Sequence, residues 1–383
     1  MELNRSLEQH IAVFGESGSG KTVLVSSFYG AAQEPQFLKK SLFRVVADDP
    51  GQGTRLSRKY LGMKNSGKLP ESTRFASESF AFSVKLKDRP DAKVSKSGSF
   101  DDLRLVWHDY PGEWFEEDVS TQEESQRKID TFRSLLGSDV ALLLVDGQRL
   151  LDNTGEEERY LKSLFTNFRN GLLSLKDELL DGGRRLVQFP RIWILGMSKS
   201  DLLPDWDVFR FRDLILEKAG EDVNELRNVL AELVEDGGAL SVGEDFVLLS
   251  SAKFQANRIE VSERVGLDLI MPLSITLPLE RHVRWVEKMR SRGKVAESLL
   301  GSAEKALAFA LVGRRMVPGK VGIVLNLIPD SALNDAAKLA GDKLKGANAA
   351  ALAKHEYLTA TLTGFRMDLD KSEEEQILLR SSR

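Results

Sequence analysis

The sequence predicts an α/β fold: a mostly parallel sheet with helices on both faces, followed by an α-helical C-terminal extension. Three observations predict it. Short apolar runs recur along the first 250 or so residues, stretches with helical spacing separate them, and motifs rich in Gly, Asp, Ser and Lys stand at the carboxyl ends of the runs. In open α/β sheets that edge is where ligands bind.

The first run, residues 11–14, leads into Gly15-Glu16-Ser17-Gly18-Ser19-Gly20-Lys21-Thr22, and residues 23–29 can begin a helix. This is the full pattern of a phosphate-binding loop in its strand-loop-helix setting. The glycines let the backbone turn tightly and aim successive N–H groups into a concavity for anionic oxygens, to which the following helix adds its positive end. Lys21 can reach the β- and γ-phosphates, and the Thr22 hydroxyl can ligate Mg²⁺. Residues 30–79 contain Gly51, Gly53, Gly62 and Gly67 with weak periodicity, and read as a long irregular segment where a nucleotide-sensing loop would sit.

Runs 80–86 and 103–107 follow, and the second ends at Asp109-Tyr110-Pro111-Gly112-Glu113. Asp-x-Pro-Gly is ordinary turn chemistry as well. Behind a phosphate-binding loop, an aspartate here holds Mg²⁺, usually through water, and the Gly112 N–H can contact a terminal phosphate. After run 140–145, Leu161, Leu164, Phe165, Phe168 and Leu172 share one helical face. Run 192–195 reaches Ser198-Lys199-Ser200-Asp201. Leu214, Leu216, Val223, Leu226, Val229 and Leu230 predict a further helix before run 246–249, which reaches Ser251-Ala252-Lys253. After about residue 280 the rhythm stops, so the chain divides into a nucleotide domain, 1–285, and a helical extension, 286–383. In the extension, Asp330 or Ser331 can cap a helix on which Leu333, Ala337, Ala340 and Leu344 share a face. Residues from Lys371 onward read as a solvated, frayed tail.

Composition narrows the class. A chain of 383 residues exceeds one ordinary core, and 42% hydrophobic residues suffice to build one. With 54 basic and 58 acidic residues the net charge is −4, so bulk electrostatics favour neither nucleic acid nor an acidic membrane. The absence of cysteine excludes disulfides and thiolate metal sites. Residues 1–6 lack an apolar signal region, which leads to the expectation of a cytoplasmic protein. Runs 306–312 and 321–328 are too short to span a membrane and read as core helices, with lipid contact as the other possibility. His10, His108, His282 and His355 have no ligand spacing, and no metal other than Mg²⁺ is implied.

In their order behind the phosphate loop, Asp109-x-x-Gly112, Lys199-x-Asp201 and Ser251-Ala252-Lys253 resemble the motif set of the Ras-like and translation-factor class of P-loop GTPases, over roughly residues 10–255. The phrase Asp109-Tyr110-Pro111-Gly112-Glu113-Trp114 further resembles the bacterial YcjX-like GTPases. The resemblance implies a Ras-like P-loop NTPase sheet, GTP and GDP as ligands, and Mg²⁺ as cofactor. It also implies that Asp201 accepts hydrogen bonds from guanine N1 and N2, that Lys199 lies along the base and ribose, and that the Ala252 N–H meets guanine O6, within a guanine site of Ser198, Lys199, Asp201, Ser251, Ala252 and Lys253. Adenine offers the wrong groups there, and a buried carboxylate left unpaired costs about 1–3 kcal/mol. Taken alone, Lys199 and Asp201 would read as a surface ion pair. Two departures matter. The spacing from Lys21 to Asp109 is long, and the family's usual asparagine, which ties the base loop to the phosphate loop, is here Ser198.

Glu113 stands where many of these GTPases place a glutamine that orients the attacking water. A carboxylate accepts a hydrogen bond from water but adds negative charge beside an anionic transition state, so hydrolysis assisted by Lys21 and Glu113 is expected to be slow. A solvated loop carboxylate is the other reading of Glu113. Arg44, Arg55, Arg58, Arg74 or an arginine from a partner are candidates to offset the charge. Thr54, chosen over Thr73 because flanking glycines allow close approach, is the candidate switch threonine that would join Thr22 and Asp109 on Mg²⁺. The expectation is a nucleotide-controlled switch whose switch regions or C-terminal helices meet an effector or activating protein. The alternatives are an ATPase of the same fold, a nucleotide-bound scaffold that does not turn over, and a dynamin-like GTPase touching lipid through residues 306–328. A kinase would need an acceptor-binding or lid signature that the sequence lacks.

Overall fold

The computed structural model describes residues 7–68, 70, 78–87, 102–110, 112, 122–180, 183–187, 189–235, 237–255, 258–288 and 349–381. All six apolar runs form strands. β1 (Leu7–Phe14) leads through the phosphate loop to α1 (Lys21–Ala32), α2 (Pro35–Lys40), β2 (Phe43–Ala47) and α3 (Pro50–Ser66). Next come β3 (Glu78–Leu86), β4 (Asp102–Asp109), α4 (Gln122–Leu136), β5 (Val140–Asp146), α5 (Gly147–Asp152) and α6 (Glu157–Ser174). The remainder is β6 (Ile192–Ser198), α7 (Val208–Leu233), β7 (Ser241–Leu248), the hairpin of β8 (Lys253–Gln255) and β9 (Arg258–Glu260), α8 (Leu277–Lys288), α9 (Ala349–Glu374) and β10 (Leu378–Leu379).

The large sheet runs β10-β7-β6-β5-β1-β4-β3-β2. β7, β6, β5, β1 and β4 pair in parallel, whereas β10, β3 and β2 join antiparallel to their neighbours. This is the Ras-like P-loop α/β sheet implied by the motif order. β1 alternates between two cores, with Ile11 and Val13 facing one and Ala12 and Phe14 the other. Leu24 and Phe28 of α1, Leu56 of α3 and Phe365 of α9 cover the first face. Phe132 of α4, Phe165 of α6 and Phe211 of α7 cover the second. β4 lies on one side of β1 and β5 on the other, and at such a reversal of strand order the carboxyl end of β1, which leads into the phosphate loop, is the edge where open α/β sheets bind ligands.

Residues 30–79 were expected to be irregular; the structure corrects this with α2, β2 and the 17-residue α3. Asp49 caps α3, accepting from the Gly51 N–H at 2.7 Å, Pro50 stands in its first turn, and Gly67 ends it at φ 58°. Its buried face is only Gly53, Leu56, Tyr60 and Met63, and glycines occupy the positions of close approach. A Cβ on Gly53 would lie 2.9 Å from Tyr29 Oη, and one on Gly30 of α1 would lie 2.1 Å from Tyr60 Cγ of α3. The α6 stripe is buried as expected. On α7 the buried stripe passes through Val208, Phe211, Ile215, Val223, Leu226 and Leu230, leaving Leu216, one step around the helix from Ile215, half exposed.

The reading of residues from Lys371 as a frayed tail is also corrected. β10 pairs with β7, matching Leu378 to Val247, and the Leu248 N–H donates to the Ile377 carbonyl at 2.9 Å. Leu362, Phe365 and Leu369 of α9 are buried in the main core, and Arg281 of α8 pairs with Asp245 of β7 at 2.5 Å with both side chains buried. A two-residue strand has no period to read, and its hydrogen bonds come from a strand about 130 residues earlier, so local pattern could not reveal it. The candidate helix around 330–344 and the runs 306–312 and 321–328 lie outside the described residues. Among the described residues, no helix is long and apolar enough to cross a membrane.

Candidate functional site

The phosphate loop takes the shape its glycines allow, with φ 80° at Gly18 and 91° at Gly20, the residue before α1. Lys21 is buried. Its Nζ donates to the Gly15 carbonyl at 2.7 Å and the Glu16 carbonyl at 3.0 Å, which satisfies an ammonium that would be costly to bury unpaired. Thr22 follows in the first turn of α1. The register of β1 and β4 pairs Val13 with Asp109, bringing that carboxylate to the same edge, and the Tyr110 N–H continues toward the Val13 carbonyl at 3.4 Å. Gly112 lies directly on the phosphate loop: a Cβ there would stand 2.2 Å from the Ser17 nitrogen and 2.4 Å from the Glu16 carbonyl carbon. Between them Tyr110 is fully buried against Phe14 and Phe132, and burial pushes its phenol well above the ordinary value.

The second cluster forms at the ends of β5, β6 and β7. Asp201 lies in the helical turn Ser200–Leu202, its Oδ1 accepting from Ser250 Oγ at 2.8 Å and its Oδ2 from the Phe254 N–H at 3.1 Å. An ionised carboxylate has about four acceptor sites, so these bonds orient it and leave capacity for a ligand. Lys199 adopts the left-handed region (φ 53°) and donates from Nζ to Asp146 Oδ2 at 2.7 Å. Ser198 is buried, its hydroxyl donating to the Val145 carbonyl at 3.4 Å. Ser251 and Ala252 are buried, whereas Lys253 opens β8 and pairs with Glu263 at 3.0 Å.

Sequence reasoning missed Ser250, Asp146 and Arg149. Ser250 adjoins a recognised motif, and Asp146 ends an apolar run just as Asp109 does, so both had a signal. Arg149 of α5 had none: its Nη1 lies 2.8 Å from Glu16 Oε2, and its Nη2 donates to the Ser17 carbonyl at 3.4 Å.

The residues at the phosphate edge fit Mg²⁺. Thr22, in the first turn of α1, and Asp109, at the end of β4 beside Val13, supply the hard oxygen donors that ion takes at one edge of the sheet. Thr54 stands in α3, exposed, with Oγ1 donating to the Pro50 carbonyl at 2.8 Å. Arg44, Arg55 and Arg58 are exposed, and Arg55 faces Glu78 at 3.9 Å. Pro111, Glu113, Thr73 and Arg74 lie outside the described residues. His10 and His108, far apart in sequence, meet across β1 and β4 with ring nitrogens 2.9 Å apart. Burial, reinforced by His10, lowers the His108 imidazole to about 4. Among the described residues no group of three His, Asp or Glu side chains converges as a metal cluster.

Residues 9–235, more than half of the chain, match the model of the Double-GTPase 2 family. No curated protein sequence matches the chain. Among solved structures, the chain is similar to a putative nucleolar GTP-binding protein 1 from Plasmodium falciparum, with 10% identity, a TM-score of 0.32, and 74% of this chain and 93% of that chain covered. It is similar to the S. cerevisiae Ski7 GTPase-like domain bound to GTP, with 14% identity, a TM-score of 0.30, and coverage of 64% and 43%. A third is the signal recognition particle receptor SRb-GTP/SRX complex from Chaetomium thermophilum, with 15% identity, a TM-score of 0.33, and coverage of 64% and 91%.

Proposed function

Because this chain belongs to the Double-GTPase 2 family, we propose that it binds GTP and GDP with Mg²⁺ and hydrolyses GTP slowly, as a nucleotide-controlled switch. The observation that carries the guanine reading is Asp201, whose carboxylate is oriented by Ser250 Oγ and the Phe254 N–H beside the buried Ala252. A carboxylate so held accepts from two donors on one base edge and rejects a base that presents an acceptor there. Lys199, held by Asp146, would flank the base and ribose.

On the phosphate side, Lys21 and the loop N–H groups neutralise and orient the β- and γ-phosphates. Thr22 and Asp109 would hold Mg²⁺, which when bound supplies further neutralisation of charge on the phosphate oxygens. The contact of Gly112 with Ser17 supports a sensing role for the Gly112 N–H, since a terminal phosphate would meet both segments. Thr54 would join as a ligand only if the start of α3 unwound, because its hydroxyl is engaged by Pro50. Glu113 would hold the attacking water at a cost in charge, which makes intrinsic turnover slow and leaves room for an arginine from an activating partner.

Titration with fluorescent GDP, GTP and ATP analogues, with and without Mg²⁺, tests the reading. Tight guanine binding lost in both Lys21→Ala and Asp201→Ala supports it. Equal binding of ATP, or indifference to Asp201→Ala, would restrict the assignment to the phosphates. Single-turnover hydrolysis of bound GTP then separates a slow GTPase from a scaffold that does not turn over.

A further inference from the structure

The asparagine that would tie the base loop to the phosphate loop is Ser198 in this chain, and its hydroxyl turns back to the Val145 carbonyl of the neighbouring strand. The six-residue helix α5 touches both loops instead. At its start, Asp146 accepts from the Gln148 N–H at 2.9 Å and, with its other oxygen, from Lys199 Nζ at 2.7 Å. Gly147 lies so close to the base loop that a Cβ would stand 2.6 Å from the Ser198 carbonyl oxygen. One turn later Arg149 reaches the phosphate loop, forming an ion pair with Glu16 at 2.8 Å and donating to the Ser17 carbonyl at 3.4 Å.

Glu16 is the reason this contact matters. Its side chain is only 7% exposed, and it places a carboxylate inside a loop whose function is to receive anions. An uncompensated buried charge is costly in itself and repels phosphate at short range. The planar guanidinium can pair with the carboxylate while also engaging the adjacent backbone.

We propose that Arg149 is a positioning residue of the nucleotide site: it cancels the charge of Glu16 and holds the phosphate loop at residues 16–17, so that α5 joins the two loops in place of the missing asparagine. The proposal rests on the reading of this site as a nucleotide site.

The full chain is titrated with fluorescent GDP in Mg²⁺ as wild type, Arg149→Ala, Glu16→Gln and the double variant. Arg159→Ala, whose parent side chain is 84% exposed on α6, serves as control. Arg149→Ala is expected to weaken GDP binding about tenfold or more, the scale of one lost charge-assisted contact. The double variant is expected to recover most of that loss, because the carboxylate that Arg149 neutralised is gone, and Arg159→Ala to bind as wild type. A merely structural ion pair would lower the melting temperature of Arg149→Ala and Glu16→Gln alike and yield no rescue of affinity. If Arg149→Ala does not fold, Arg149→Gln with and without Glu16→Gln reads the same rescue. Wild-type affinity in Arg149→Ala, or a double variant as weak as the single, overturns the proposal. Failure of the wild type to bind GDP overturns the reading of the site instead.

Discussion

Lys21 finds its partners five and six residues back along the chain, at Glu16 and Gly15, whereas Asp201 finds its own 49 and 53 residues ahead, at Ser250 and Phe254. The phosphate loop is one continuous stretch whose cradle is mostly backbone, shaped by Gly18 and Gly20 at positive φ. The cluster around Asp201 is assembled from the ends of three parallel strands, and Lys199 likewise takes its partner 53 residues away, at Asp146. The two therefore differ in what can break them. The loop takes most of its shape from its own residues, with Arg149 and Gly112 reaching it from outside, while the assembled cluster depends on strand register and on supporting side chains throughout.

Lys21→Ala carries the largest expected effect. It should weaken guanine and adenine nucleotides alike by about 100-fold or more, since it removes the charge-assisted contact common to both; retention of GDP affinity in a fluorescence titration would mean that the base cluster can bind alone. Asp201→Ala should instead act on selectivity, lowering the preference for GDP over ADP by about 10- to 100-fold while sparing the affinity for ADP. A parallel loss of both nucleotides would show that the two parts of the site are not separable.

Gly112→Ala tests whether the strand end of β4 belongs to the phosphate loop. Its Cβ would meet the backbone nitrogen of Ser17 at 2.2 Å, so one or both segments must shift, at about 1–3 kcal/mol in chemical denaturation. The same variant should weaken GTP more than GDP in the fluorescence titration. Ser250→Ala is the gentlest change. It should cost about 1 kcal/mol in GDP binding and leave ADP unaffected, because the carboxylate of Asp201 keeps its bond to the Phe254 N–H. An effect as large as that of Asp201→Ala would make Ser250 a direct contact of the base.

Much of the sheet was legible because a buried parallel strand is written as a short apolar run, and each of 11–14, 103–107, 140–145, 192–195 and 246–249 became one. α3 carries a short stripe of Leu56, Tyr60 and Met63, but Gly53, packed against Tyr29 of α1, takes its first position, and glycines at 51, 53 and 62 masked the rest. β10 was hidden by its length. The pairing of His10 with His108, 98 residues apart, depends on the register of two strands.

Chain order and residue type were sufficient for the phosphate loop, because its conformation depends on φ angles and bonds within eight consecutive residues. They also placed Asp201 just past a strand end, where the structure has it in the turn Ser200–Leu202 after β6. The partners of Asp201 and Lys199, the approach of Arg149 to Glu16 and the pairing of Leu378–Leu379 with β7 belong to tertiary structure. Each of these contacts joins segments dozens of residues apart. Their distances follow from how parallel strands align and how helices pack across them, and no local pattern of residues encodes that alignment.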